Sequence, residues 1–349
     1  MNLYQSPYEP ELARTRAAKE FSRVGFALLA LNLALTAAAY AMYDAILSVY
    51  NGNTAAIEAD WWWGWILSLV PLYAVAAPVM LLVLRGLPKA PHNETYSDHG
   101  EVKEKSPFTV SKFLLLLVIG MGCMYIGSFI GNTLMGILSV IIGEEYPNTL
   151  DSMVSQSPAW MTFIGTVICA PLGEEFLFRK LLIDRTRRWG DLISIAVSAF
   201  TFALFHGNLF QFFYAFFIGA ILAYIYTRTG KLRWCVAMHA IVNFFGSIFL
   251  PWLVGLIPEE TAGDLSPFAY TLGWLLGLAI DMLVFGLMIA AVVLVAVLFR
   301  RAQLSRGTHP LTVSDSISAA FLNPGMITAL AIMGFTLLGN LITPLLPAG

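Results

Sequence analysis

The chain has 349 residues, 58% of them hydrophobic and 12% charged, with a mean hydropathy of +0.73. Soluble domains carry about 25% charge, and a soluble fold cannot hide several apolar runs of more than about 20 residues. A soluble enzyme is therefore excluded and a polytopic membrane protein expected; the net charge of −2 points to no partner class.

The first 23 residues are polar, with Arg14, Arg16, Lys19 and Arg23 near their end. An apolar run follows over Val24–Val49. Ala37–Ala41 resembles the small residues of a signal-cleavage site, but the leader is long, carries Glu9, Glu11 and Glu20, and the run continues past the small residues; a first span is the better reading. Further spans are expected over Trp61–Leu84, Phe113–Ile142, Pro158–Ile183, Leu192–Phe205, Phe210–Tyr226, Trp234–Leu256, Phe268–Phe299 and Pro324–Leu346, nine in all. The fifth and sixth read as a tight hairpin around Gly207-Asn208, and Trp61, Trp62 and Trp63 as an interfacial belt. Gly190-Asp191 reads as a helix end followed by a new N-cap, Gly230 as a helix stop, and Asn323-Pro324 as N-cap and first helical residue.

All 20 Lys and Arg fall in alternate connections: before the first span, in 85–112, in 179–188, in 228–233 and in 300–306. The intervening connections carry acids instead: Glu58 and Asp60; Glu144, Glu145 and Asp151; Glu259, Glu260 and Asp264. The positive-inside rule then puts the N-terminus in the cytoplasm and Gly349 outside. The 85–112 connection, polar and of mixed charge, reads as a solvated linker; a metal site at its His92 and His99 is improbable. The basic residues flank spans, so nucleic acid is not an expected partner. Cys123, Cys169 and Cys235 lie in apolar segments without a CxxC pair and read as small buried hydrophobes.

Few strongly polar residues remain at depth: Glu174, Glu175 and Arg179 in the fourth span, His206 ending the fifth, His239 and Asn243 in the seventh, and Asp281 in the eighth, with Asp44 near the outer end of the first. A charge in the bilayer costs at least a few kcal/mol, so such residues need a partner or a function. Glu175 and Arg179 are four apart and share a helix face; Glu174 points about 100° away from Glu175. One carboxylate can thus be neutralised by Arg179 while the other faces a cavity. His239 and Asn243 share a face, as do Phe202 and His206. From the inner flanks, Glu174 and His206 lie about 21–22 Å deep, or Glu174 only about 8 Å if Arg179 is the boundary, and His239 and Asn243 about 9 and 15 Å. These depths permit convergence in the cytoplasmic-to-middle part of the membrane.

A buried Glu, two His and an Asn suit hydrolysis. Glu174 would take a proton from water, His206 would position that water or return a proton to the leaving amine, and His239 and the Asn243 amide would donate to the oxyanion. No Ser or Cys nucleophile stands in an obvious constellation; Cys235, one turn from His239, reads as inert. A zinc site from His206, His239 and one glutamate is the alternative, without a short spacing signature. Each residue also has a bland reading: Glu175–Arg179 as a helix lock, the histidines and Asn243 as interhelical hydrogen-bonding groups, Asp281 as a packing partner and Phe202 as core rather than site wall.

Glu174-Glu175-x-x-x-Arg179, Phe202-x-x-x-His206 and His239-x-x-x-Asn243 resemble, in order, the three motifs of the CPBP intramembrane proteases, which group CAAX prenyl proteases, bacteriocin-processing or immunity proteins and Abi proteins. The resemblance covers about 158–250 and departs from none of the motifs. It implies an all-α membrane core with a cavity open to the cytoplasm, Glu174 as the base activating water, His206, His239 and Asn243 completing the site, and Glu175 and Arg179 within its first motif. The family is often called metalloprotease, while a metal-free glutamate mechanism is also argued for it; no cofactor is favoured here, and zinc stays the alternative. The implied partners are membrane lipid and a peptide or protein substrate, membrane-anchored or not. A multi-pass protein of a bacterial plasma membrane fits, and since bacteria generally lack farnesylated CAAX proteins, a prenylated substrate is not inherited.

The expected organisation is an N-terminal tail with three spans (1–157), a catalytic core (158–256) and two C-terminal spans (257–349). Two other function classes are weighed against the protease: a non-proteolytic immunity or scaffold protein of the same fold, and a proton-coupled transporter, against which the lack of an internal repeat argues.

Overall fold

The computed structural model describes residues 10–90, 94–96, 102–104, 107–146, 148–257, 267–302 and 304–342. Glu9, His92, His99, Glu259, Glu260, Asp264 and the expected end of the last span beyond Ile342 lie outside them. The main helices are α1 (Pro10–Val49), α2 (Trp62–Leu84), α3 (Val110–Ile142), α4 (Ala159–Trp189), α5 (Asp191–Phe205), α6 (Leu209–Thr229), α7 (Leu232–Val254), α8 (Pro267–Leu298) and α9 (Pro324–Ile342). Among the described residues, eight are long and apolar enough to cross a membrane. The exception is α5, the expected fifth span, which has 15 residues and reaches only about 22 Å. The protein is a polytopic helical bundle and multi-pass membrane protein.

The 85–112 connection contains a little structure that its composition did not announce: Glu94–Tyr96 (β1) pairs antiparallel with Val102–Glu104 (β2), Thr95 opposite Lys103.

Small residues let the helices approach closely, as expected where lipid supplies no hydrophobic drive for association. A Cβ added at Gly127 or Gly131 of α3 would collide with the α6 backbone at Phe213–Tyr214 or Leu209–Phe210. Likewise α1 and α9 cross with Gly25 against the backbone of Gly325. One main apolar core runs through the bundle, from Phe21 and Leu28 of α1 to Phe178, Leu182, Phe202, Leu222 and Tyr226 around the inner helices.

Three helices contain a wide π-helical turn placed just before a proline. The turns are Leu72–Ala76 before Pro78, Phe163–Cys169 before Pro171, and Phe245–Phe249 before Pro251. A proline lacks an N–H and its ring crowds the preceding turn, and a widened turn absorbs both. A second π turn in α4, Glu175–Leu181, has no such proline and carries the charged motif itself.

The expected stops hold, with one shift. Gly230 closes α6 in the left-handed region at φ 61°. Asn323 accepts from the Met326 N–H at 2.9 Å, and Pro324 opens α9. Asn208 caps α6 by accepting from the Gln211 N–H at 2.9 Å, making the α5–α6 connection tight. The shift is at Gly190-Asp191: Gly190 occupies the cap position at φ 118°, and Asp191 is already helical. The Asp191 carboxylate instead accepts from Arg187 Nε at 2.7 Å and from the Ser305 N–H at 2.8 Å. Of the three tryptophans expected as a belt, Trp61 packs edge-on against Trp62 and Trp160, and Trp63 Nε1 donates to Tyr50 at 3.1 Å.

Candidate active site

The fourth helix carries the acidic pair on its second π turn, and two other helices bring their motifs to it. Glu175 Oε2 lies 3.0 Å from Arg179 Nε, both side chains fully buried. The contact is an ion pair by distance; among the described residues the Arg179 nitrogens have no well-aligned hydrogen-bond acceptor. The guanidinium instead sits over the Phe202 ring, 4.3 Å from its centroid, which adds a cation–π contribution to the charge compensation.

Glu175 also has a second partner. Its Oε1 accepts from His239 Nδ1 at 2.9 Å. The other ring nitrogen, Nε2, lies 3.8 Å from Glu174 Oε2. One histidine therefore stands between the two adjacent carboxylates, with its orientation fixed by Glu175. A proton on Nδ1 leaves a lone pair at Nε2 in the neutral ring, so donation from Nε2 to an oxyanion requires the ring to carry a second proton.

His206 terminates α5, and its Nδ1 is 2.8 Å from the Phe202 carbonyl. A carbonyl only accepts, so Nδ1 carries the hydrogen and Nε2 of the neutral ring presents a lone pair. Glu174, His239 and Arg179 are near enough for their charges to act on this ring. Phe202 meets His206 edge-on at 4.8 Å and His239 at 6.0 Å between centroids. It was expected to be core rather than site wall; it is buried and at the same time the shared wall of both histidines and Arg179.

Asn243 docks α7 onto α4. Its Nδ2 donates to the Thr166 carbonyl at 2.8 Å. That carbonyl lies in the first π turn, where its partner five residues on is Pro171, which has no N–H. The amide thus satisfies a main-chain acceptor that the proline orphans, and it keeps one further N–H. Thr166 Oγ1 and Ser247 Oγ, 2.8 Å apart, extend the contact, with Ser247 donating back to the Asn243 carbonyl.

Sequence reasoning missed Tyr73 of α2. Its hydroxyl donates to the Cys169 carbonyl, and its ring lies where a Cβ on Gly173 would be. Gly173 immediately precedes Glu174, so the tyrosine leans on the backbone that carries the carboxylate. The available signals were Gly173 in a helix interior, a mark of close approach, and Pro171, a mark of an orphaned carbonyl.

Glu174, Glu175, Arg179, Phe202, His206 and His239 come together, and Asn243 reaches the same helix one motif away. Asp44 and Asp281 are exposed and stand apart from this cluster. Among the described residues no three His, Cys, Asp or Glu side chains converge as a metal-ligand set. His239 Nδ1 and Glu175 Oε1 are already committed to each other, which removes one carboxylate from the donors.

Residues 156–245 match the family model described as Type II CAAX prenyl endopeptidase Rce1-like. No curated protein and no solved structure matches the chain. The matched segment contains all three motifs and every residue of the polar cluster, and α1, α8 and α9 lie outside it. Over this segment the chain is similar to the CPBP, or CAAX protease, family.

Proposed function

We propose that this chain is an intramembrane endopeptidase whose general base is Glu174, working in a cavity open to the cytoplasm. The observation that carries the reading is the contact of one histidine with both carboxylates: Glu175 orients His239, and the opposite face of that ring meets Glu174. A water between Glu174 Oε2 and His239 Nε2 would be polarised from two sides. Glu174 takes one proton from it, and the water oxygen bonds to the peptide carbonyl carbon as the π pair moves to the carbonyl oxygen. The remaining N–H of Asn243 receives that oxyanion. Collapse breaks the C–N bond. The proton held by Glu174 passes to the leaving nitrogen, with His206 Nε2 as the relay, and the new carboxyl group ionises to solvent.

Glu175 and Arg179 are positioning residues in this scheme, since they act through His239 and Phe202. Residues 158–256 form the catalytic core, with 1–157 and 257–349 as supporting spans and Tyr73 as the contribution from outside. The alternation of basic and acidic connections supports a cytoplasmic N-terminus and a cytoplasmic opening. The family description names a prenyl endopeptidase; for this chain the proposed substrate is a peptide or protein, and no group in the cluster calls for a lipid tail. A bacterial plasma membrane is the location the reading assigns.

The test uses the full-length protein in lipid nanodiscs with a library of membrane-anchored peptides, the products read by mass spectrometry. Cleavage by wild type and its loss in Glu174→Gln support the proposal. A phenotype such as protection or partner binding that survives Glu174→Gln, with no cleavage by wild type, points instead to an immunity or scaffold role.

A further inference from the structure

Among the spanning helices α8 is the least covered by the rest of the bundle. It rests on α3 along one stripe, where Gly122 lies against the Leu287 carbonyl and the Ala291 methyl. The other side exposes Trp274, Leu278, Phe285 and Val292. Asp281 is on that side. At about 100° per residue these four lie within about 60° of it around the helix. It is also central along the axis, about 21 Å from Pro267 and about 26 Å from Leu298. Among the described residues it has no hydrogen-bond or ion-pair partner.

A carboxyl at the middle of a bilayer and turned to lipid is unfavourable, and such groups pair with one another or face a protein interior. We infer that the exposed face of α8 is covered by a second copy of this chain, with the two Asp281 carboxyls against each other. All copies insert in the same direction, so a two-fold axis relating them runs along the membrane normal. A residue near that axis then meets its own counterpart at the same depth. A carboxyl that carries its proton is both donor and acceptor, so two copies of Asp281 satisfy each other without a further residue. A different partner would have to bring its own polar group to the same depth, whereas the second copy brings it automatically. The flanking Trp274, Leu278, Phe285 and Val292 supply apolar surface above and below the pair. This inference is independent of the protease reading.

The test is the oligomeric state of the full-length protein in lipid bilayers at low protein density, read by energy transfer between differently labelled copies. Variants are compared only where they keep the wild-type melting temperature. The expected result is a dimer whose association weakens about tenfold in Asp281→Leu, the scale of one intramembrane hydrogen bond, and is retained in Asp281→Asn, whose amide also donates and accepts. In a background with Cys123, Cys169 and Cys235 replaced by alanine, Leu278→Cys is expected to cross-link between copies on oxidation, and Leu115→Cys on α3 is not. A monomer at all densities, a dimer indifferent to Asp281→Leu, or cross-linking through Leu115→Cys alone overturns the inference.

Discussion

His239 stands between the two carboxylates of the Glu174-Glu175 pair, its Nδ1 2.9 Å from Glu175 Oε1 and its Nε2 3.8 Å from Glu174 Oε2. Adjacent residues on one helix thereby take different parts. Glu175 is fully buried and tied to both Arg179 and His239, while Glu174 keeps some exposure and faces the ring from the other side.

Breaking the buried pair is expected to be more damaging than deleting it. Glu175→Ala leaves Arg179 as an uncompensated buried charge, and a loss on the order of 3–5 kcal/mol follows. The combined Glu175→Met and Arg179→Met variant removes both charges and is expected to recover much of that stability without recovering peptide cleavage, because His239 loses its orienting acceptor. Thermal unfolding in detergent, run beside the cleavage assay, checks both halves. Equal stability of the single and double variants contradicts this account of the pair.

Asn243 and Pro171 are expected to be coupled. Asn243→Ala strands the Thr166 carbonyl, at a cost of about 1–3 kcal/mol. Pro171→Ala supplies the N–H that the proline lacks, so the same Asn243→Ala change should cost less in that background. A double-mutant cycle on melting temperature gives the coupling. Additive effects would show that Asn243 does not serve that carbonyl.

Gly173 and Tyr73 form a second coupled pair, next to Glu174. Gly173→Ala drives a methyl into the Tyr73 ring, and is expected to lower both stability and turnover. Adding Tyr73→Ala should relieve the overlap and restore stability in part. Tyr73→Phe keeps the packing and removes only the donor to the Cys169 carbonyl, so it should change turnover more than melting temperature.

The strap over the end of α4 should make stability depend on pH. His309 packs against Trp189, 5.5 Å between centroids, and its main-chain N–H donates to the Arg188 carbonyl. Burial holds its imidazole below the ordinary histidine range, the charges of Arg188 and Arg16 add to this, and Glu20 opposes it. A folded-state value below the unfolded one means that protonation favours unfolding. This contribution is present in full above about pH 6.5, the unfolded value, and is lost as pH falls towards and through the lowered folded value. His309→Gln should flatten the fall in melting temperature over that window; an unchanged pH profile speaks against it.

Much of this was legible from spacing. Three pairs of residues four apart, each at depth in an apolar run, identified the helices and faces that meet. The alternation of basic and acidic loops gave nine spans, whereas among the described residues eight helices are long and apolar enough to cross a membrane and α5 is too short. What spacing did not carry is contact between distant segments. Tyr73 lies in another span, far along the chain from Gly173, and a tyrosine near an apolar helix has no distinctive pattern. The strap of Ser305 and His309 over Asp191 and Arg188 is likewise a tertiary contact, so Asp191 looked like an N-cap because Asp after Gly usually is one. The prolines announced local breaks, but a widened π turn and a kink share the same residues. Hence the orphaned Thr166 carbonyl, and the task it gives Asn243, emerged only from the fold.

The central claim is that Glu174 activates the water. Its most direct test is the turnover of a cleaved peptide by wild type and Glu174→Gln in the same nanodiscs, with Glu174→Gln first shown to keep the wild-type melting temperature. The account predicts a loss of at least about 10²-fold, the scale of general-base catalysis, with the change in kcat rather than KM. Cleavage by Glu174→Gln at the wild-type rate would contradict it.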